Sequence, residues 1–210
     1  LPRQWESDLC LAADVNFAAS PELAGHLSPC SDNVVLLRNG ANCSLERRGR
    51  MERPAALAGL PPGPVLGYAG TLWRDLDLAP VLQAAEAYPA AQFVLVGRRE
   101  NNPLLPRLAR RSNVHLVGPV PQVELPEYLG WFEVCLNLVR LRSPDNDVLP
   151  PRIFEYFSTG RPVVALAQSG RVEEYPDVIY WAKSGAQFVR LCGSALAETG
   201  SWAQERRRAY

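Results

Sequence analysis

The chain is short of several things that would have named a chemistry at once. It has two histidines in 210 residues, His26 and His115, too few for a histidine-rich metal site. His115 also alternates with Val114 and Leu116 in a strand pattern, which gives it a structural place. The five cysteines (Cys10, Cys30, Cys43, Cys135, Cys192) are odd in number and show no CxxC spacing. Neither a disulfide frame nor a zinc ribbon is expected, and the thiols read as reduced in a cytosolic setting. In that setting the match of Asn42-Cys43-Ser44 to a glycosylation acceptor is coincidence. A net charge of zero removes bulk electrostatic attraction to nucleic acid. No apolar run approaches the roughly 18–20 residues of a membrane span, and no signal peptide is read. Leu1 is not an initiator, so a fragment or processed product is expected. There is neither a Walker A loop nor a GxGxxG, which sets aside ATPase and dinucleotide-dehydrogenase readings.

What remains is an ordinary globular composition, 47% apolar and 21% charged, long enough for one well-buried domain and an appendage. Residues 1–42 read as helix (Trp5–Ala13), strand (Asp14–Ala18), helix (Ser20–Leu27, with Ser20 as N-cap and Pro21 at the first helical position) and strand (Asn33–Leu37). Residues 43–63 mix charge with proline and glycine (Leu60-Pro61-Pro62-Gly63) and read as a linker. From residue 64 strand and helix alternate. The strands expected are Val65–Ala69, Gln92–Val96, Asn113–Val117, Glu133–Val139, Pro162–Leu166 and Val178–Trp181. The helices expected are Leu78–Tyr88 (with Asp75 or Asp77 as cap), Leu104–Arg111, Val123–Phe132, 151–159, and one from Ser184 to about Glu198. Ser184-x-x-Gln187 and Ser201-x-x-Gln204 look like capping boxes, the second opening a terminal helix in 200–210. Such alternation predicts an α/β fold with a doubly wound, Rossmann-like parallel sheet, and ligands outside the carboxyl ends of its strands.

The most informative stretch is 148–170. Pro150 and Pro151 suit the first turn of a helix, Ile153, Phe154 and Phe157 form a buried stripe, and Gly160 and Pro162 end the helix. Arg152, Glu155 and Tyr156 are then expected on the other face, at i, i+3 and i+4. Arg152 lies in the first turn, where free N–H groups favour an anion, and Glu155 lies one turn deeper. A cation at a helix mouth with a carboxylate beyond it suits a nucleoside diphosphate. On helix geometry alone an exposed i,i+3 ion pair worth a few tenths of a kcal/mol is the better explanation of the two residues.

The run Pro150-Pro151-Arg152-Ile153-Phe154-Glu155-Tyr156 through Gly160-Arg161-Pro162-Val163-Val164 resembles the nucleotide-sugar site of GT-B retaining glycosyltransferases, the "group 1" or family 4-like class. Gly67-Tyr68-Ala69-Gly70-Thr71-Leu72 is similar to the first loop of their donor domain. Phe93-Val94-Leu95-Val96-Gly97 resembles the second strand. Asn113-Val114-His115-Leu116-Val117-Gly118 resembles the strand whose following loop reads the base. Residues 13–42 are similar to the closing βαβ of the acceptor domain, with Asn42 where an aspartate is usual. The resemblance implies four units: 1–42 as the tail of the acceptor-side domain, 43–63 as linker, 64–199 as the donor domain, and 200–210 as a helix returning toward the acceptor side.

It further implies that Arg152, helped by Arg140, stabilises the departing diphosphate. Glu155 would hold the donor ribose, and Gly70, Thr71, Gly118, Pro119 and Tyr156 would join in donor binding. Asp147, at the upstream acid position usually held by glutamate, would touch the sugar. No metal or other cofactor is expected; Asp75-Leu76-Asp77 reads as a cap and Asp145-Asn146-Asp147 as a solvated loop. The partners implied are a nucleotide-sugar donor, a UDP-sugar first, and a glycan or lipid-linked acceptor. The place implied is the cytoplasm, with room for peripheral attachment to the membrane's inner face. Two rivals share these residues: a non-hydrolysing GT-B sugar-nucleotide epimerase and a binding module without catalysis.

Overall fold

The computed structural model describes residues 3–41, 52–74, 76–139, 150–167 and 175–209. Eight helices and eight strands follow in chain order: α1 (Arg3–Ala12), β1 (Asn16–Ala18), α2 (Pro21–Leu27), β2 (Val34–Leu36), β3 (Val65–Ala69), α3 (Ala79–Ala87), β4 (Gln92–Val96), α4 (Leu105–Leu108), β5 (Val114–Gly118), α5 (Leu125–Leu129), β6 (Val134–Asn137), α6 (Arg152–Ser158), β7 (Val163–Leu166), β8 (Ile179–Ala182), α7 (Gly185–Leu196) and α8 (Ser201–Arg208). A 3-10 turn, Ala55–Leu57, precedes β3.

The strands form two parallel sheets. One is the pair β1–β2, with Phe17 opposite Val35. The other has six strands in the order β5-β4-β3-β6-β7-β8. Counted within that sheet the order is 3-2-1-4-5-6, the doubly wound arrangement whose strand order reverses between β3 and β6. Apolar side chains cover both faces. Leu66, Tyr68, Phe93, Leu95, Leu136 and Val164 pack with α3 and α7 on one side. Val94, Cys135, Val163 and Ala165 pack with Phe154, Tyr156 and Phe157 of α6 and with α5 on the other. This is why the central strands read as unbroken apolar runs rather than alternating ones. The burial leaves the thiols of Cys135 and Cys192 each pushed up to about 12. Cys10, Cys30, Cys135 and Cys192 are free thiols, while Cys43 lies outside the described residues.

Several local expectations need correction. Ser20 caps α2 as expected, its hydroxyl accepting from the Leu23 N–H at 3.2 Å. Ser184 caps α7 through the Gln187 backbone N–H, also at 3.2 Å, but the Gln187 side-chain Oε1 accepts from the N–H of Lys183, one residue before the cap. Ser201 is already inside α8, whose cap is Gly200. Asp77 does not cap α3, since Leu78 holds that position, and Asp75 lies outside the described residues. The turn before α3 is held by Asn102, whose side-chain N–H groups donate to the carbonyls of Trp73 and Leu76 at 2.8 and 2.9 Å.

The last helix is anchored by a buried arginine. Arg207 is 1% exposed and meets Glu198 through two bonds of 2.6 and 2.7 Å. It also donates to the Val178 carbonyl at 3.0 Å and to that of Gly160, just beyond α6, at 3.3 Å. Burial would lift the Glu198 carboxyl, but hydrogen bonds from Arg207 and Tyr180 and the arginine's charge outweigh it, so it titrates below the ordinary range.

Candidate active site

Among the described residues, Arg152, Glu155 and Tyr156 all stand on α6, whose first turn meets the loop that follows β3. Pro150 and Pro151 lead into the helix, and Pro151 takes its N-cap position with helical dihedrals, φ −50° and ψ −31°. The expected free N–H groups at the mouth are partly taken up. The Ile153 N–H donates to the Pro150 carbonyl at 2.9 Å, and that of Phe154 to Pro151 at 3.1 Å. The capacity to hold an anion therefore falls to the side chain of Arg152.

Arg152 is half-buried and leans onto β3. Its Nη1 donates to the hydroxyl of Tyr68, and its guanidinium lies over the Tyr68 ring, 5.1 Å from the centroid. Gly70 leaves the room for this: a Cβ there would stand 2.5 Å from Arg152 Nη1 and 2.9 Å from the Tyr68 hydroxyl. Glu155 is also half-buried and faces off the core, where its Oε1 accepts from Gln122 Nε2 at 3.1 Å, on the segment that follows β5. Burial raises the Glu155 carboxyl above its ordinary range, and the Gln122 hydrogen bond and the Arg152 charge offset only part of that.

Tyr156 does not share this face. It is fully buried, and its hydroxyl accepts from the Ala69 N–H at 2.9 Å. The expectation that it lines the site with Arg152 and Glu155 is corrected: a phenol hydroxyl needs a partner when buried, and here it finds one in the backbone of β3. Gly67 is likewise a packing residue, since a Cβ there would run into the Phe132 ring.

The crevice floor is built from glycine. Gly70 follows β3, Gly97 follows β4 and Gly118 ends β5, with φ of 149°, 145° and 90°. These values are unfavourable for residues with a Cβ. The three ends are stitched together: the Gly70 N–H donates to Val96 at 2.8 Å and the Gly97 N–H to Gly118 at 2.7 Å. Gly118 thus has its carbonyl engaged, and Pro119, exposed beside it, has no N–H to give. Thr71 is half-buried at the end of the first loop, its carbonyl accepting from the Tyr68 hydroxyl at 3.2 Å. Arg98 turns away and pairs with Glu100 at 2.6 Å in solvent. Arg140 and Asp147 lie outside the described residues, as do Arg142 and Asp145-Asn146.

The structure thus brings Arg152, Gly70 and Thr71 to one side of the switch point. Glu155, with Gln122 beside it, stands one helical turn away. Tyr68 and Gln122 were not singled out from sequence. Strand alternation buries Tyr68 with Leu66 and hides its polar tip, and nothing in the spacing of Gln122 points to α6.

Residues 74–210 match the family described as "Glycosyl transferase-like". The chain belongs to that family. A curated member of similar sequence is TuaH of Bacillus subtilis, provisionally named a teichuronic acid biosynthesis glycosyltransferase. It is 23% identical over 184 residues, which is 85% of this chain and 46% of that protein. Among solved structures, sucrose-phosphate synthase of Thermosynechococcus elongatus superposes with a TM-score of 0.69 at 20% identity, covering 98% of this chain and 56% of that one. An Escherichia coli trehalose-6-phosphate structure bound with UDP-2-fluoro glucose gives 0.70 at 11% identity, covering 100% and 58%. The glycosyl transferase-like chain therefore has a GT-B half-fold and spans about half the length of the relatives it matches.

Proposed function

We propose that the chain carries the donor-binding half of a retaining GT-B glycosyltransferase. It would take a sugar from a nucleoside diphosphate sugar, a UDP-sugar first, for transfer to a glycan or lipid-linked acceptor. The observation that carries this reading is the placing of Arg152 and Glu155. Both are half-buried and one helical turn apart, with Arg152 against the end of β3, a strand that borders the switch point where open α/β folds bind their ligands, which supports this reading. In this reading Arg152 meets the diphosphate and stabilises charge that grows on it as the sugar departs. Glu155 accepts from the ribose hydroxyls. Gly70 and Thr71 let backbone approach the phosphates, and the turn at Gly118-Pro119 lies toward the base. Arg140 is proposed as a second cation and Asp147 as a contact to the sugar, both from their places in the sequence pattern.

The bound UDP-sugar analogue named in the E. coli structure supports the choice of a UDP donor, and the name given to TuaH supports a polysaccharide acceptor. Work at the cytoplasmic face of a membrane fits both. Among the described residues no helix is long and apolar enough to cross a membrane.

Thermal melts of the 210-residue chain with UDP, GDP and ADP test the donor site. Nucleotide at about 100 times its dissociation constant adds about 2.7 kcal/mol, which for this size raises the midpoint by roughly 5–10 °C. Arg152→Ala should abolish the shift. A folded sample that no diphosphate stabilises would remove the donor site. An epimerase would differ by interconverting UDP-sugars without any acceptor.

A further inference from the structure

The residue that decides where the Arg152 guanidinium sits belongs to another element. Tyr68 is 0% exposed in the fourth position of β3, yet its phenol rises to the end of the sheet and spends both of its hydrogen-bonding capacities there. The hydroxyl accepts from Arg152 Nη1 and donates to the Thr71 carbonyl at 3.2 Å, while the ring underlies the guanidinium. One buried oxygen therefore fixes the cation of α6 relative to the loop that follows β3. Gly70, between them, has no side chain to displace either partner.

A second bond reinforces the registration. Pairing between β3 and β6 is described for Leu66 with Val134 and for Gly67 with Cys135. Beyond it the Ala69 N–H goes to the Tyr156 hydroxyl of α6 instead. The loop and the helix are thus tied at Tyr68–Arg152 and at Ala69–Tyr156, on the two sides of the chain at the crevice.

We propose that Tyr68 is the positioning residue for Arg152, holding the guanidinium over the Gly70–Thr71 turn for the diphosphate of a nucleoside diphosphate sugar. This rests on the donor-site reading above. A guanidinium carries five N–H donors, so one committed to Tyr68 leaves a fork for phosphate oxygens. A long, flexible side chain that is already seated loses less freedom when the ligand arrives. Burial keeps the phenol protonated by pushing it up from its ordinary value, against the smaller opposing effects of the Arg152 charge and hydrogen bond. The hydroxyl therefore stays able to donate to Thr71 while it accepts from Arg152.

The test uses Tyr68→Phe, which keeps the ring and its packing and removes only the hydroxyl. The probes are whichever of UDP, GDP and ADP shifts the melt most, and its nucleoside, titrated by calorimetry and NMR. Diphosphate affinity should fall about 5- to 10-fold, the change that one net hydrogen bond represents. Nucleoside affinity should not change, because the nucleoside has no group for Arg152 to hold. In an Arg152→Met background Tyr68→Phe should have no further effect. Parallel weakening of diphosphate and nucleoside, or an equal effect with and without Arg152, would make Tyr68 merely structural and overturn the inference. So would unchanged affinity in Tyr68→Phe while Arg152→Met weakens the diphosphate strongly. If Arg152→Met itself leaves diphosphate affinity intact, the donor-site reading falls, and the role of Tyr68 with it.

Discussion

In the proposed donor site, Glu155 has two demands on it that pull in opposite directions. A ribose-binding carboxylate has to be ionised, yet its half-burial favours the neutral acid and raises its titration above the ordinary range. With the folded value above the unfolded one, the neutral acid is what the fold favours. That contribution is fully present below the unfolded value and is lost as pH rises through the folded value. At pH 7 Glu155→Gln should thus be as stable as the parent or more so, by a few tenths of a kcal/mol given the partial exposure. Denaturant melts at pH 7 and pH 4 would check this, and the gain should vanish at pH 4. The same variant should bind nucleoside diphosphate more weakly. Its affinity should also lack the fall on acidification that the parent shows above the ordinary carboxylate range. Equal affinities and equal pH profiles for parent and variant would remove Glu155 from the site.

At the scale of elements, the sequence was legible where packing and local chemistry agree. β3 and β4 lie at the bounds their apolar runs predict, and α6 differs by one residue at each end, because proline before it and glycine after it constrain backbone directly. α4 and α5 are shorter than expected: apolar periodicity continues through Val123 and Leu104, but the ordered turns do not. The arrangement of the candidate site was legible in part. Arg152 and Glu155 could be found by pattern, whereas Tyr156 could not be placed, since helical spacing cannot say how wide the buried stripe is. Arg207 was hidden for the same reason. A run of three arginines reads as a solvated end, yet its middle member is the buried anchor of α8. Arg207→Ala would leave the Glu198 carboxylate without its cation in a nearly buried place, with only the Tyr180 hydroxyl donating to it, a loss of about 3–5 kcal/mol. Hydrogen exchange should show α8 opening first. Because Glu198 titrates below its unfolded value, its contribution is present above about pH 4.3 and is lost as pH falls through the folded value. Acid should therefore release α8 in the parent, and release that is independent of pH would count against the ion pair.

For the whole molecule, the telling contrast is between the two sheets. The six-stranded sheet is covered on both faces. The β1–β2 pair is not: Val15, Phe17, Val35 and Leu37, at alternate positions along the two strand segments, are 37%, 61%, 43% and 60% exposed. Parallel sheets are almost always buried on both faces, and an apolar face of this kind favours association. The chain should bind a hydrophobic dye such as ANS and self-associate as concentration rises. Phe17→Ser with Leu37→Ser should reduce both without lowering the melting point of the six-stranded part. A monomer with no dye binding would show that this face is not presented to water in solution.

The anchor of α8 has a mechanical corollary. One guanidinium grasps the carbonyl just past α6 and another just before β8, so the tail of the chain and the base of α6 are rivets on a single plate. A load applied along α8 would be passed through Arg207 to the carbonyl at the foot of α6. That foot lies about 10 Å from Arg152 at the helical rise per residue, so α8 and the candidate site are joined through one short helix.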